Sequence, residues 1–272
     1  MLRKLLKHEF RATGRIMLPM YLVLLATAVG SNLSGRWMIG SRFSAVSILG
    51  VLIVTAFGFA IFGVLLMSFV LMIQRFYKNL LQDEGYLMFT LPVSVHQHIW
   101  SKLIVSAVWF ITTVLAVIGA SLIVAYQGGF LWEMLDFLRY FFQGLQKLKI
   151  TEALNGTVYL VELFILVFLA MAAFSLQFYA ALAAGHSQPN HKMLWSVGCF
   201  FGFQAVLQFS GTMLLIGLTR LDLFRYLKFD WDPTLAVAIH VGLLMSIGCV
   251  VIYGAIFYAV TTFFLKRHLN LE

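Results

Sequence analysis

A chain of 272 residues that is 61% hydrophobic, 15% aromatic and only 11% charged lies far from the composition of soluble domains. At roughly 20 apolar residues per crossing, six membrane spans with short connections use up that length, so residues 1–272 read as a single transmembrane domain. The formal net charge of +8 then belongs to the membrane surface, where basic side chains meet anionic lipid, and gives no reason to invoke nucleic acid.

The first residues, MLRKLLKHEFRATGR, place Leu2, Leu5, Leu6 and Phe10 on one helical face and Arg3, Lys4, Lys7 and Arg11 on the other. That pattern predicts an amphipathic helix over residues 1–13 lying in the interface plane. Ala26-Thr27-Ala28 imitates a signal-peptide cleavage site, but the amphipathic start and the five later spans favour a retained segment. A first span is expected from Ile16 to Val29, closed by the polar SNLSGR stretch. The second, from Ala45 to Ile73, exceeds what a bilayer needs and should tilt or project beyond it.

Residues 74–102, QRFYKNLLQDEGYLMFTLPVSVHQHIWSK, are charged and turn-rich between two apolar runs, so they belong in water at a membrane face. Tyr77 to Leu81 reads as a short helix and Asp83-Glu84-Gly85 as a turn, while Pro92 pushes Leu91 into an extended conformation. Ser94 followed by Gln97 has the spacing of a capping box and opens the third span, expected from Ile99 to Tyr126 and broken by Gly128-Gly129. Residues 130–149 form a second amphipathic stretch, read as a surface helix, with Leu131, Leu135, Leu138 and Phe142 on one side and Glu133, Asp136, Arg139 and Gln143 on the other.

The fourth span, Val158 to Ala184, should stop at the turn cluster GHSQPN. The fifth is expected from Leu194 to Leu218. The sixth runs from Thr234 to Leu265, with Asp232-Pro233 as its helix start.

The central segment resembles the cytoplasmic coupling segment of ABC-2 type permeases, the membrane subunits of ABC exporters. The residues that carry the likeness are Asp83-Glu84-Gly85-Tyr86-Leu87, then Thr90-Leu91-Pro92-Val93-Ser94, then Lys102. The commoner family form has Thr where this chain has Tyr86, and an acid where it has Met88. The resemblance covers nearly the whole chain. It implies an all-α fold of six transmembrane helices, an N-terminal elbow helix, and a coupling helix between the second and third spans that docks on an ATPase subunit through Asp83, Glu84, Gly85, Tyr86, Leu87, Thr90, Leu91 and Pro92. It also implies a second permease subunit, identical or related. ATP and Mg would sit on the separate ATPase, and this chain would bind no cofactor.

Of the nineteen Lys and Arg residues, eleven fall on one side of the six-span layout and eight on the other. Five of the eleven precede the first span, and the first helix usually dominates insertion. The positive-inside rule therefore puts both termini and residues 74–102 in the cytoplasm of a cell that carries the chain in its plasma membrane.

The sequence contains no phosphate-cradling glycine loop, no HExxH and no GxSxG. His96 and His98 lack a third ligand nearby and read as solvated interface residues; Cys199 and Cys249 read as small buried hydrophobes. Gly198 and Gly202 form a GxxxG in the fifth span, with Gln204 and Gln208 continuing down the same helix. They are candidates for a dimer seam or a polar path lining, against a plain packing role.

Glu162 is a candidate substrate contact, as the one acid seen within an apolar run, although its position near the interface would let it snorkel. An intramembrane enzyme would need Glu and His residues clustered within spans, and Glu162 and His240 are far apart in sequence. A self-powered secondary transporter would be expected to show internal repeats, and none is visible. A reporter fused after Glu272 should be cytoplasmic and one inserted at Gly144 external; a common location for the two would mean an odd error in the number of spans.

Overall fold

The computed structural model describes residues 2–40, 44–82, 84–90, 92–126, 130–150, 154–220 and 235–267. Eight α-helices account for them: α1 (Leu2–Gly40), α2 (Ser44–Leu80), α3 (Glu84–Thr90), α4 (Val95–Ala125), α5 (Phe130–Lys147), α6 (Val158–Gly185), α7 (Lys192–Arg220) and α8 (Leu235–Arg267). Six of these, all but α3 and α5, are long and apolar enough to cross a membrane. The protein is thus a multi-pass all-α membrane protein, as its composition requires. Helices suit that setting because they satisfy their own backbone groups where no water can.

Three boundaries differ from those expected. The N-terminal amphipathic stretch is not a separate elbow helix. It forms the opening turns of α1, which continues through Pro19 to Gly40 and extends about 58 Å at ~1.5 Å per residue. Gly14, between Ala12 and Ile16, is tolerated inside the helix, and Glu9 and Thr13 lie on the same buried stripe as Met17 and Tyr21. The polar SNLSGR stretch does not end this helix either. Residues Tyr77 to Leu80 extend α2 and form no helix of their own. The short helix instead begins at Glu84 and incorporates the expected Asp83-Glu84-Gly85 turn from its second residue, with the Gly85 N–H donating to Gln82 O at 2.7 Å. Asp83, Leu91, Gly128, Gly129, Asp232 and Pro233 lie outside the described residues.

The chain divides into two compact units, Met1–Phe76 with His96–Tyr140, and Tyr77–Val95 with Phe141–Glu272. In the first, Met17, Tyr21, Leu24 and Ala28 of α1 pack with Phe57, Val64 and Leu71 of α2 and Ala120 of α4. Polar contacts run along the same α1–α4 seam. The Trp109 indole N–H donates to Thr13 Oγ1 at 2.7 Å, Tyr21 Oη and Thr113 Oγ1 are 2.8 Å apart, and Asn32 Nδ2 reaches the carbonyls of Ile123, Val124 and Tyr126 at 2.9, 3.2 and 2.7 Å. This last contact satisfies carbonyls that the end of α4 leaves without an intrahelical partner.

In the second unit α6 packs against both α7 and α8. Gly254 of α8 faces Ala173 of α6, Phe178 stacks on Phe200 at 4.5 Å, and Phe203 meets Phe257 at 5.4 Å. The α6–α7 corner is tight: a Cβ on Gly185 would overlap the backbone of Ser196, so only glycine fits. His186, the next residue, is 3% exposed and donates from Nδ1 to Leu182 O at 2.9 Å, while its ring meets Tyr77 edge-on at 5.3 Å.

Burial holds the His186 pKa below the ordinary histidine value, and the Lys192 charge adds to the depression, against the opposing effect of the Leu182 carbonyl. A histidine kept neutral by the fold takes up its proton more readily in the unfolded chain. The fold should therefore lose stability as pH falls below about 6.5 and be indifferent to this residue above it. Thermal unfolding in detergent between about pH 7.5 and about pH 5.5 should show this loss, and His186→Gln should flatten it.

Candidate functional site

The segment expected to couple to a partner lies at the end of α2 and through α3. Helix α3 is seven residues long, with Gly85 buried and Tyr86 and Leu87 exposed at 53% and 72%. Thr90 Oγ1 donates back to Leu87 O at 2.8 Å. Pro92 is exposed, and α4 starts at Val95, directly after Ser94 as the capping spacing predicts. Short, apolar on the outside and bounded by a turn and a proline, α3 has the form of a projecting knob.

Lys102, the last residue of the family pattern, points elsewhere. Its ammonium lies 2.7 Å from Glu9 Oε1, and the two side chains are 1% and 7% exposed. A cavity of about 20 Å³ beside them is lined by Thr13, Ser68, Arg75 and Trp109, enough for roughly one water molecule. Sequence reading missed Glu9 because it sits in a basic amphipathic stretch; the four-residue spacing Glu9, Thr13, Met17, Tyr21 was the signal that it faces inward. His98, expected to be solvated, is 1% exposed, whereas His96 is exposed. The difference follows from the face of α4 that carries Ser101, Lys102 and Val105 inward.

Glu162 does not snorkel. It is 6% exposed, and its Oε1 lies 2.6 Å from His240 Nδ1 of α8, so the fold joins two residues that the sequence keeps far apart. The approach is close but makes no hydrogen bond at Nδ1, and among the described residues Glu162 Oε2 has no hydrogen-bond partner either. One turn toward the helix start, the Tyr159 hydroxyl donates to Ala236 O. Ile150, Val158, Tyr159, Ala236, Val237 and Val241 form an apolar plug at this end.

Further along the same seam Gln177, 3% exposed, donates to Gln204 Oε1 at 2.9 Å and accepts from the Tyr253 hydroxyl at 3.0 Å. Gln204 is therefore tied to α6, while Gln208 on the same helix is exposed. Beside this network a cavity of about 320 Å³ is lined by Ala170, Phe174, Cys249, Val250 and Tyr253. Cys249 is exposed, contrary to expectation, and Cys199 is half-buried. Gly198 and Gly202 have nothing within 4 Å of where a Cβ would stand, so among the described residues no close helix crossing uses this GxxxG. No cluster of three or more His, Cys, Asp or Glu residues that could hold a metal occurs among the described residues.

Removing one partner of a buried ion pair strands a charge and typically costs about 3–5 kcal/mol, whereas replacing both with apolar groups is often neutral. Lys102→Met should thus lower stability in detergent by that amount, and Glu9→Leu with Lys102→Met should recover most of it, as measured by unfolding of the single and double variants. Comparison with known proteins finds no matching family model, no matching curated protein and no matching solved structure.

Proposed function

We propose that this chain is the permease subunit of an ABC-type exporter, moving a substrate out of the cytoplasm with ATP hydrolysed on a separate ATPase subunit that binds the ATP and Mg. The observation that carries the reading is α3, a short helix between the second and third long apolar helices that presents Tyr86 and Leu87 outward. Two exposed apolar side chains on so short an element suit docking into a partner's groove. In this reading Glu84, Gly85 and Thr90 belong to the docked helix and Asp83, Leu91 and Pro92 adjoin it in sequence, all on the cytoplasmic side of the plasma membrane. ATP-driven closure of the ATPases favours one arrangement of the spans to the extent that α3 binds the two arrangements differently.

The open surface at Gly198 and Gly202 supports a second permease subunit seated on α7, where small residues let helices approach closely. Gln204 and Gln208 would then fall near the path between subunits. A self-powered transporter is the second reading, favoured by one observation, the contact of buried Glu162 with half-buried His240, since intramembrane acids and histidines often carry protons.

Substituting Asp83 and Glu84 together by Ala should change stability by no more than about 0.5 kcal/mol each while costing about 2–5 kcal/mol of partner binding. The permease alone should look normal, and co-purification of the ATPase, or coupling of ATP turnover to export, should fall. Pro92→Ala should leave binding largely present and transmission poor, because it relaxes the link between α3 and α4. A double variant that binds, hydrolyses and exports like its parent would remove the coupling role.

A further inference from the structure

Helices α6, α7 and α8 contain one acidic residue between them, Glu162. It lies within a span, is buried, and touches the histidine of α8. Two atoms that both carry only lone pairs repel at the observed 2.6 Å, so a proton resides on the Glu162 carboxyl or on His240 Nδ1, and the contact depends on it. The other carboxylate oxygen has no hydrogen-bond partner among the described residues. A bare carboxylate oxygen in an apolar setting is costly, and adding a proton to it removes that cost.

We propose that Glu162 and His240 form a proton-binding site inside the membrane-spanning part of the chain. The pair holds one proton between α6 and α8, and Glu162 Oε2 is the position that accepts a further proton arriving from the aqueous side nearest the start of α6. Uptake forms one O–H bond, with the proton drawn from water, and leaves Glu162 without an acceptor charge toward His240. The α6–α8 contact at this end therefore loosens when the proton arrives and tightens when it leaves.

Among the described residues, few other titratable groups lie near the pair. From α6 the nearest titratable side chain is Tyr159, whose hydroxyl is engaged by Ala236 O. From the preceding loop Lys149 is exposed, one residue before the buried Ile150. Helix α7 carries Lys192 and Arg220 at its two ends, and α8 carries Lys266 and Arg267 in its last turn, at the far end from His240. Apolar side chains of Ile150, Val158, Ala236, Val237 and Val241 cluster at this end of α6 and α8, while the His240 side chain keeps 18% of its surface exposed.

This site stands whether or not the chain is an exporter subunit, and its test involves neither ATPase nor cargo. The full chain, reconstituted in phosphatidylcholine vesicles, would be titrated with acid while infrared difference spectra are recorded in water and in deuterium oxide. The parent should develop a deuterium-sensitive protonated-carboxyl band that Glu162→Gln lacks. In His240→Gln, which removes the nitrogen lying 2.6 Å from Glu162 Oε1, the band should shift in frequency. Where Glu162→Gln does not fold, Glu162→Asp, which keeps the carboxyl and moves its frequency, makes the same assignment. Superimposable spectra for the parent and the Glu162 variants, or an unmoved band in His240→Gln, would overturn the proposal.

Discussion

Hydrocarbon offers a polar side chain no partner, so every such group inside a span must find one in its own helix, as Thr112 and Ser246 do, or on a neighbouring helix, or carry a cost of several kcal/mol. This constraint orders the packing of both units. Apolar surface gives little preference for one helix neighbour over another in lipid, because the tails are as apolar as the side chains. Register is instead set where polar groups meet: Glu9 with Lys102, Thr13 with Trp109, Tyr21 with Thr113 and Asn32 with the end of α4 in the first unit. In the second unit Glu162 meets His240 and Gln177 bridges Gln204 and Tyr253. Sliding α1 along α4 by one turn would break four of these contacts at once.

The two ion pairs differ in how completely they are satisfied. Lys102 and Glu9 are both buried and hydrogen-bonded to each other beside a small cavity, an arrangement that fixes two helices in one relation. The Glu162 carboxylate has a bare oxygen, and the His240 nitrogen close to it makes no hydrogen bond. Full satisfaction rigidifies a buried network, and partial satisfaction leaves a second state within reach. The first pair therefore reads as a fastening and the second as a responsive site.

The spans were legible because a run of some twenty apolar residues has few other uses, and α6 and α7 fall within a few residues of their expected ends. Helix starts marked by side chains were legible too, as Ser94 before Val95 illustrates. Pairing across the fold was not. Nothing local distinguishes Lys102, 2% exposed against Glu9, from a lysine at a solvated interface, and Glu162 and His240 are neighbours only because α6 and α8 pack together. The placement of α3 failed for a different reason. Tyr77 to Leu80 and Glu84 to Thr90 have comparable helical tendency, and which piece joins the preceding helix depends on where its hydrogen-bonded ladder ends.

Exposure along α7 carries the same logic outward. Phe201, Val206 and Phe209 can face lipid at no cost, and so can an open glycine face at Gly198 and Gly202. Gln208 differs: it is exposed on the same helix, and an amide facing hydrocarbon would have no hydrogen-bond partner there. A neighbouring protein surface or a water-filled path would meet the requirement, and either one would lie against the helix that also presents the GxxxG. The second permease subunit proposed above, seated on α7, would supply such a surface.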